Sequence, residues 1–145
     1  MSANPATSLY STAQLREIEA AHPPKSASSS LMHRAGLAVV RHALEMLKPR
    51  KTANILVLAG PGNNGGDAWV AAAALLKARH RVTVIALGEQ KFTEPAARSA
   101  HAAYLKAGGE VRKDLPRQVA FDLVIDGLFG IGITRPATGA FATTI

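Results

Sequence analysis

Apolar residues recur at helical spacing in the first third of the chain and in short continuous runs further on. Ser11-Thr12-Ala13-Gln14 has the S-x-x-Q form of a capping box, and Leu15, Ile18 and Ala21 give the helix that follows one apolar stripe. The polar residues 1–10 before it read as a frayed end. Pro23-Pro24 stops this helix, and Lys25 to Ser30 is a serine-rich connector. A second helix is predicted from Ser30 to Leu47. Leu31, Ala35, Ala38, Val39, His42 and Met46 recur in it at helical spacing, and Pro49 ends it. Beyond Asn54 the pattern changes to alternating strands and helices. Strands are predicted at about Asn54–Ala59, Arg81–Leu87 and Phe121–Ile125, with a short one near Glu110–Arg112. Helices are predicted at about Ala68–Arg79 and Glu94–Ala107, the latter closed by Gly108-Gly109. Near-continuously apolar strands separated by helices imply an α/β fold, with a parallel sheet covered on both faces. There is no internal repeat and no low-complexity tract.

Composition narrows the classes. A chain of 145 residues, 48% of them hydrophobic, can bury the core of one domain. It has no cysteine, which excludes disulfides and thiolate metal sites. No apolar run approaches the roughly 20 residues of a membrane span. The N-terminus lacks the basic-then-apolar order of a secretory signal, so a cytoplasmic location is the default. The formal charge is +7, with short clusters at Lys48-Pro49-Arg50-Lys51 and Lys77-Ala78-Arg79-His80-Arg81. Such a balance suits phosphate-bearing ligands or nucleic acid, or is simply a solvated basic face. Aromatic residues are only 5% of the chain, which argues against a base-stacking platform and so against a nucleic-acid partner.

The candidate chemistry lies in two segments that end strands. The first is Gly60-Pro61-Gly62-Asn63-Asn64-Gly65-Gly66-Asp67, between an apolar strand and an alanine-rich helix. That order builds phosphate and nucleotide sites in open α/β sheets. The segment lacks the Lys-Ser/Thr ending of a P-loop, and its glycines do not fit G-x-G-x-x-G. It carries two carboxamides and a carboxylate instead. Its glycines would allow positive φ and close approach of a ligand. Asp67 reads either as an N-cap or as a direct ligand contact. The second segment is Asp126-Gly127-Leu128-Phe129-Gly130-Ile131-Gly132-Ile133-Thr134-Arg135-Pro136. Asp126 emerges at a strand's carboxyl end, where it can serve proton transfer, hold a cation, or merely close a turn. Arg135 pairs with a phosphate or is solvated, and Thr134 is a weaker candidate. Lys91 follows the second strand and reads as exposed. His22, His33, His42, His80 and His101 show no ligand spacing and read as structural or surface residues. Trp69 and Phe129 read as packing residues. If the two strands are neighbours, the two segments meet at one rim.

Taken together at this separation, the two segments resemble the NAD(P)H-hydrate epimerase family, also called the YjeF N-terminal domain. Thr12-Ala13-Gln14-Leu15-Arg16 and Leu31-Met32-His33-Arg34-Ala35-Gly36 are similar to that family's first two helices, so the resemblance covers the chain from about Ser11. It implies a Rossmann-like three-layer α/β/α fold. It also implies an isomerase that interconverts the R and S epimers of hydrated NADH and NADPH in nucleotide repair. The implied substrate-binding residues are Asn63, Asn64, Gly65, Gly66, Asp67, Gly130, Ile131, Gly132, Ile133, Thr134, Arg135 and Pro136. Asn64 and Asp126 are the implied ligands of a potassium ion, the one cofactor expected. Asp126 is the expected catalytic residue, giving electrostatic support and shuttling a proton, or serving the cation alone. The expected partners are the hydrated dinucleotide, a fused or separate ADP-dependent dehydratase, and a second copy in a homodimer; no membrane is expected. Two positions depart from the family's usual residues. Ala68 stands where glycine is usual, which would narrow the ligand's approach, and Gly127 stands where alanine is common. The chain ends at Ile145, before the family's Asp-Ile-Pro-Ser-Gly-like motif. The expectation is therefore one domain over residues 1–145, truncated at its C-terminal end and weak or inactive as it stands. The competing expectations are a non-catalytic ligand- or RNA-binding scaffold module on the same fold and a generic nucleotide-binding α/β protein.

Overall fold

The computed structural model describes residues 9–21, 23, 30–130, 133 and 136–144. The first eight residues, His22, Pro24 and residues 25–29 of the connector lie outside the described residues. So do Ile131, Gly132, Thr134 and Arg135 of the second segment. In chain order the elements are α1 (Thr12–Ala21), α2 (Leu31–Met46), β1 (Asn54–Ala59), α3 (Asn63–Lys77), β2 (Arg81–Ala86), α4 (Pro95–Lys106), β3 (Glu110–Arg112), β4 (Leu123–Gly127) and α5 (Ala140–Thr144).

The four strands form one sheet in the order β3-β2-β1-β4, and every pair is parallel. The apolar runs put side chains on both faces of β1. Ile55, Val57 and Ala59 join Val82 and Val84 of β2 in the larger core, against α2, α3 and Tyr104 of α4. Leu56 and Leu58 point the other way, where they pack with Ile85, Leu87 and Leu128 beneath Phe121, Phe129 and Phe141. The three long helices α2, α3 and α4 thus cover one face, while Phe141 of α5 lies over the other.

Most of the local expectations hold, and the exceptions have physical causes. The capping box before α1 is reciprocal: Ser11 N–H donates to Gln14 Oε1 at 2.9 Å and Gln14 N–H to Ser11 Oγ at 3.3 Å. None of the described residues of α1 is buried, however, so its stripe contributes no core. In α2 the buried face is Met32, Gly36, Val40 and Ala43, one position away from the predicted row, and Leu31 and Met46 are exposed. Both rows have helical period. Gly36 decides between them, because a Cβ there would overlap Val70 of α3, so this is where the two helices touch. β4 runs two residues later than expected and takes in Asp126.

β3 is an exposed strand of three residues. Its neighbourhood is held by the buried Tyr104, whose hydroxyl lies 2.7 Å from Val82 O and 2.9 Å from Glu110 O, bridging β2 and β3. Burial pushes this phenol well above its usual pKa. Tyr104→Phe should cost about 1–2 kcal/mol in urea-induced unfolding and speed hydrogen exchange at β3 before β1. An unchanged midpoint would show that the bridge contributes nothing.

Candidate functional site

Strand order places the site. The chain runs outward from β1 through β2 to β3, then returns to add β4 on the other side of β1. The reversal point in such a sheet is where ligands settle, beyond the carboxyl ends of the strands. Here those ends are Leu58 and Ala59 of β1, in register with Asp126 and Gly127 of β4. The two segments singled out in the sequence therefore meet at one rim. Gly60 N–H donates to Gly127 O at 3.1 Å, and Asn64 Nδ2 donates to Phe129 O at 2.6 Å across 65 residues of sequence.

The glycine segment is not an eight-residue loop. Only Gly60-Pro61-Gly62 is a turn, and α3 begins at Asn63, five residues before the predicted start. Asp67 is consequently the fifth residue of the helix and not its N-cap. The cap is Gly62, which has no side chain to bond the helix start. The N–H groups of Asn63, Asn64 and Gly65 have no intrahelical acceptor, and of these residues Asn63 is exposed at the rim while Gly65 is buried; the Gly66 N–H closes the first turn on Gly62 O at 3.1 Å. Tertiary packing overrides the poor helix propensity of Asn-Asn-Gly-Gly. A Cβ at Gly65 would run into Gly60 O, so glycine is what lets the helix start lie against the end of β1. None of the segment's glycines takes positive φ.

Successive helical residues point about 100° apart, and this splits the Asn pair. Asn64 faces β4 and is half-buried; Asn63 is exposed and faces α2 and the loop after β2. Two adjoining clefts open on the Asn63 side and share Met32, Asn63 and Glu94. One, of about 130 Å³, runs past Gly60, Pro61, Gly62 and Gly66 to Gln90, Lys91 and Phe92. The other, of about 250 Å³, lies between α1, α2 and α3 and is lined by Glu19, Ser30, Leu31, Ala35 and Asp67. Asp67 is pushed up from 3.8 to about 6, first by burial and then by the negative charge of Glu19. Neither cleft is lined by Asn64 or Asp126.

Asp126 is exposed and projects from the opposite face of the sheet, beside Leu58, and its Oδ1 accepts the Leu128 N–H at 2.9 Å. Gly130 and Pro136 are exposed, Ile133 is 52% exposed, and the Ile133 N–H donates to Gly130 O at 3.2 Å. Lys91 is exposed, as read, and pairs with Glu89 at 3.1 Å while lining the smaller cleft. His80 accepts the Ala53 N–H through Nδ1 at 3.2 Å, and His101 packs edge-on to Trp69 at 4.6 Å. Phe129 packs on Phe141 at 5.1 Å. Among the described residues no group of three His, Cys, Asp or Glu side chains has metal-binding geometry, and no helix is long and apolar enough to cross a membrane.

The sequence reading missed Gln90. Its Oε1 accepts the Trp69 Nε1–H at 2.9 Å, and its Nε2 donates to Leu87 O at 3.0 Å and Ala59 O at 3.4 Å. It thereby ties α3 to the ends of β1 and β2 and fixes the far wall of the smaller cleft. The only signal was position: the loop after β2 emerges at the same rim as the loops after β1 and β4.

The two departures noted in the sequence are one feature. A Cβ at Gly127 would sit 2.5 Å from the Ala68 Cβ. The Ala68 methyl fills the space beside Gly127 and does not narrow the ligand's approach.

Comparisons with known proteins give the family and the fold. Residues 28–145 match the family described as YjeF-related protein N-terminus. An NAD(P)H-hydrate epimerase of Achromobacter xylosoxidans is 44% identical over 128 residues, covering 88% of this chain and 59% of that protein. One of Bordetella pertussis is 46% identical over 112 residues, covering 77% and 48%. A bifunctional NAD(P)H-hydrate repair enzyme of Corynebacterium glutamicum is 43% identical over 107 residues, covering 70% of this chain and 18% of that one. The crystal structure of yeast YNL200c shares the fold, with a TM-score of 0.74 at 22% identity, covering 91% of this chain and 60% of that one. The chain spans 59% and 48% of the first two relatives' lengths.

Two outcomes follow for the site. Gly127→Ala should cost about 1–3 kcal/mol through overlap with Ala68, and Ala68→Gly in the same chain should recover most of it. A double-mutant cycle by urea unfolding measures the coupling, and additive losses would refute it. The raised pKa of Asp67 means that folding favours its protonated form. That stability is fully present below about pH 3.8 and is lost as pH rises through about 6. Asp67→Asn should therefore be more stable than the wild type at pH 7.5 and lose the pH dependence between 4 and 6. Solvent screening holds the gain to about 1 kcal/mol. Thermal unfolding across that range checks the sign.

Proposed function

The chain belongs to the family of YjeF-related protein N-termini, and on that premise we propose that it is an NAD(P)H-hydrate epimerase, an isomerase of nicotinamide nucleotide repair. The observation that carries the reading is the meeting of the two segments at the sheet's reversal point, through the Leu58–Asp126 register and the Asn64–Phe129 hydrogen bond. Relatives at 44% and 46% identity bear the epimerase name.

The parts suit a dinucleotide. The N–H groups at the start of α3, at the positive end of its dipole, favour the phosphates, and Lys91 stands across the smaller cleft. The reaction inverts a ring carbon that carries a hydroxyl beside the ring nitrogen. The nitrogen lone pair expels the oxygen, a planar cation forms, and water returns to either face. The protein must protonate the leaving oxygen and stabilise the cation. No hydride moves, because the dinucleotide is itself the substrate.

Two donors at the rim are of the kind a potassium ion takes. The Asn64 amide nitrogen is engaged by Phe129 O, which leaves its amide oxygen for a ligand, and one Asp126 carboxylate oxygen is free of the Leu128 N–H. Both are hard oxygen donors of the kind such a cation takes. Asn64 and Asp126 would hold it, and its charge would fix the two side chains and balance the carboxylate. The expected setting is cytoplasmic, with a dehydratase, fused or separate, consuming the product epimer.

The test offers pure S- or R-hydrated NADH with potassium to the chain, alone and extended past Ile145 to the length of its relatives, and follows epimer exchange by chromatography. The extended chain should exchange epimers well above the spontaneous rate. Exchange at the spontaneous rate in both forms sinks the reading. Asp126→Ala that loses exchange but keeps affinity gives Asp126 a chemical role, whereas loss of both makes it a cation or ligand contact.

A further inference from the structure

We propose that Asp67 is the proton donor of this reaction, acting on the hydroxyl of a hydrated nicotinamide ring seated in the cleft between α1, α2 and the start of α3. The inference rests on the epimerase reading and assigns to Asp67 the proton transfer that the sequence suggested for Asp126.

Three observations carry it. Asn63 and Asp67 are four residues apart on α3, so their side chains lie one above the other on one helix face, and both line the cleft of about 250 Å³. That space suits one ring and part of its sugar, not a whole dinucleotide. The adjoining cleft leads from Asn63 along Gly60-Pro61-Gly62, past the start of α3, to Lys91, which is where the phosphates belong. Asp126 lines neither cleft and leaves the sheet on its opposite face.

The surroundings suit a donor. Glu19 of α1 and Glu94 at the start of α4 are the charged groups lining the cleft with Asp67, and α2 and its cap present Ser30, Leu31, Met32 and Ala35. Among the described lining residues there is no Lys, Arg or His to hold the carboxyl ionised. Asp67 makes no salt bridge or side-chain hydrogen bond among the described residues. Its pKa of about 6 keeps part of the population protonated near neutrality.

The step balances. The Asp67 carboxyl gives its proton to the hydroxyl oxygen as the bond from that oxygen to the ring carbon breaks. The nitrogen lone pair forms the carbon–nitrogen double bond and water departs. The planar cation then faces the Asp67 carboxylate and the acidic walls. Water adds to the other face and releases a proton to solvent, and Asp67, at an open cleft, regains one. Only the configuration of the carbon has changed.

The experiment measures the rate and KM for S-hydrated NADH from pH 5 to 8.5, in the extended chain and its Asp67→Asn variant, with the spontaneous rate subtracted. Asp67→Asn should lower kcat about 100-fold with KM within about threefold. The wild-type rate should fall about tenfold per unit above about pH 6, and the variant should lack that limb. Asp67→Glu, which keeps the carboxyl, should restore part of the rate. A variant as fast as the wild type, with the same pH profile, overturns the donor and leaves the epimerase standing. Loss of affinity equal to the loss of rate also overturns it, because it makes Asp67 a binding residue. Wild-type exchange at the spontaneous rate overturns the epimerase reading, and the donor with it. Should Asp67→Asn not fold, carbon-13 titration of the wild-type carboxyls decides. The Asp67 signal should titrate near pH 6 and move on adding hydrated NADH; a signal in the ordinary carboxylate range, unmoved by ligand, overturns the proposal.

Discussion

The close approach of the start of α3 to the end of β1 is the constraint on which the site depends. No Cβ fits at Gly65 against the Gly60 carbonyl, so the helix begins at once after a three-residue turn. An earlier start has three consequences. It leaves a helix end with no side-chain cap at the rim. It turns two asparagines adjacent in sequence into residues on different sides of the helix. It also carries Asp67 from the helix cap into its second turn, where a cleft receives it.

Charge follows from that placement. Asp67 and Asp126 belong to the two segments that meet, yet the sheet lies between them. Asp126 is solvated and bonded to its own turn; Asp67 is half-buried beside Glu19, and its proton is correspondingly harder to remove. Environment, not residue type, sets the two carboxylates apart. Gln90 holds the rest of the rim in place, since its amide group closes hydrogen bonds to α3, β1 and β2 at once. A single neutral side chain with both donors and an acceptor is what such a junction requires.

The faces of the sheet are built unequally. Three long helices bury one face around Trp69, Leu75 and Tyr104. Among the described residues the other face is packed by a few aromatic side chains from loops and from α5, and Val124 on β4 is 52% exposed. The rim is therefore more buried where α3 docks and more exposed where β4 ends.

The order of elements from α1 to β4, the parallel sheet, the limits of β1 and β3 and the capping box of α1 were legible in the sequence, whereas α5 was not predicted. They rest on local period, propensity and capping, which neighbouring residues express by themselves. The two rim segments were legible as well, because a strand running into glycine and asparagine has few other uses. The buried face of α2, the start of α3, the separation of Asn63 from Asn64, the pairing of Ala68 with Gly127 and the bridging by Gln90 were decided only by the tertiary structure. Each depends on backbone or side chains that meet only on folding, such as Gly36 with Val70 or Asn64 with Phe129. At such contacts a single methyl group outweighs the few tenths of a kcal/mol by which local preference ranks the alternatives.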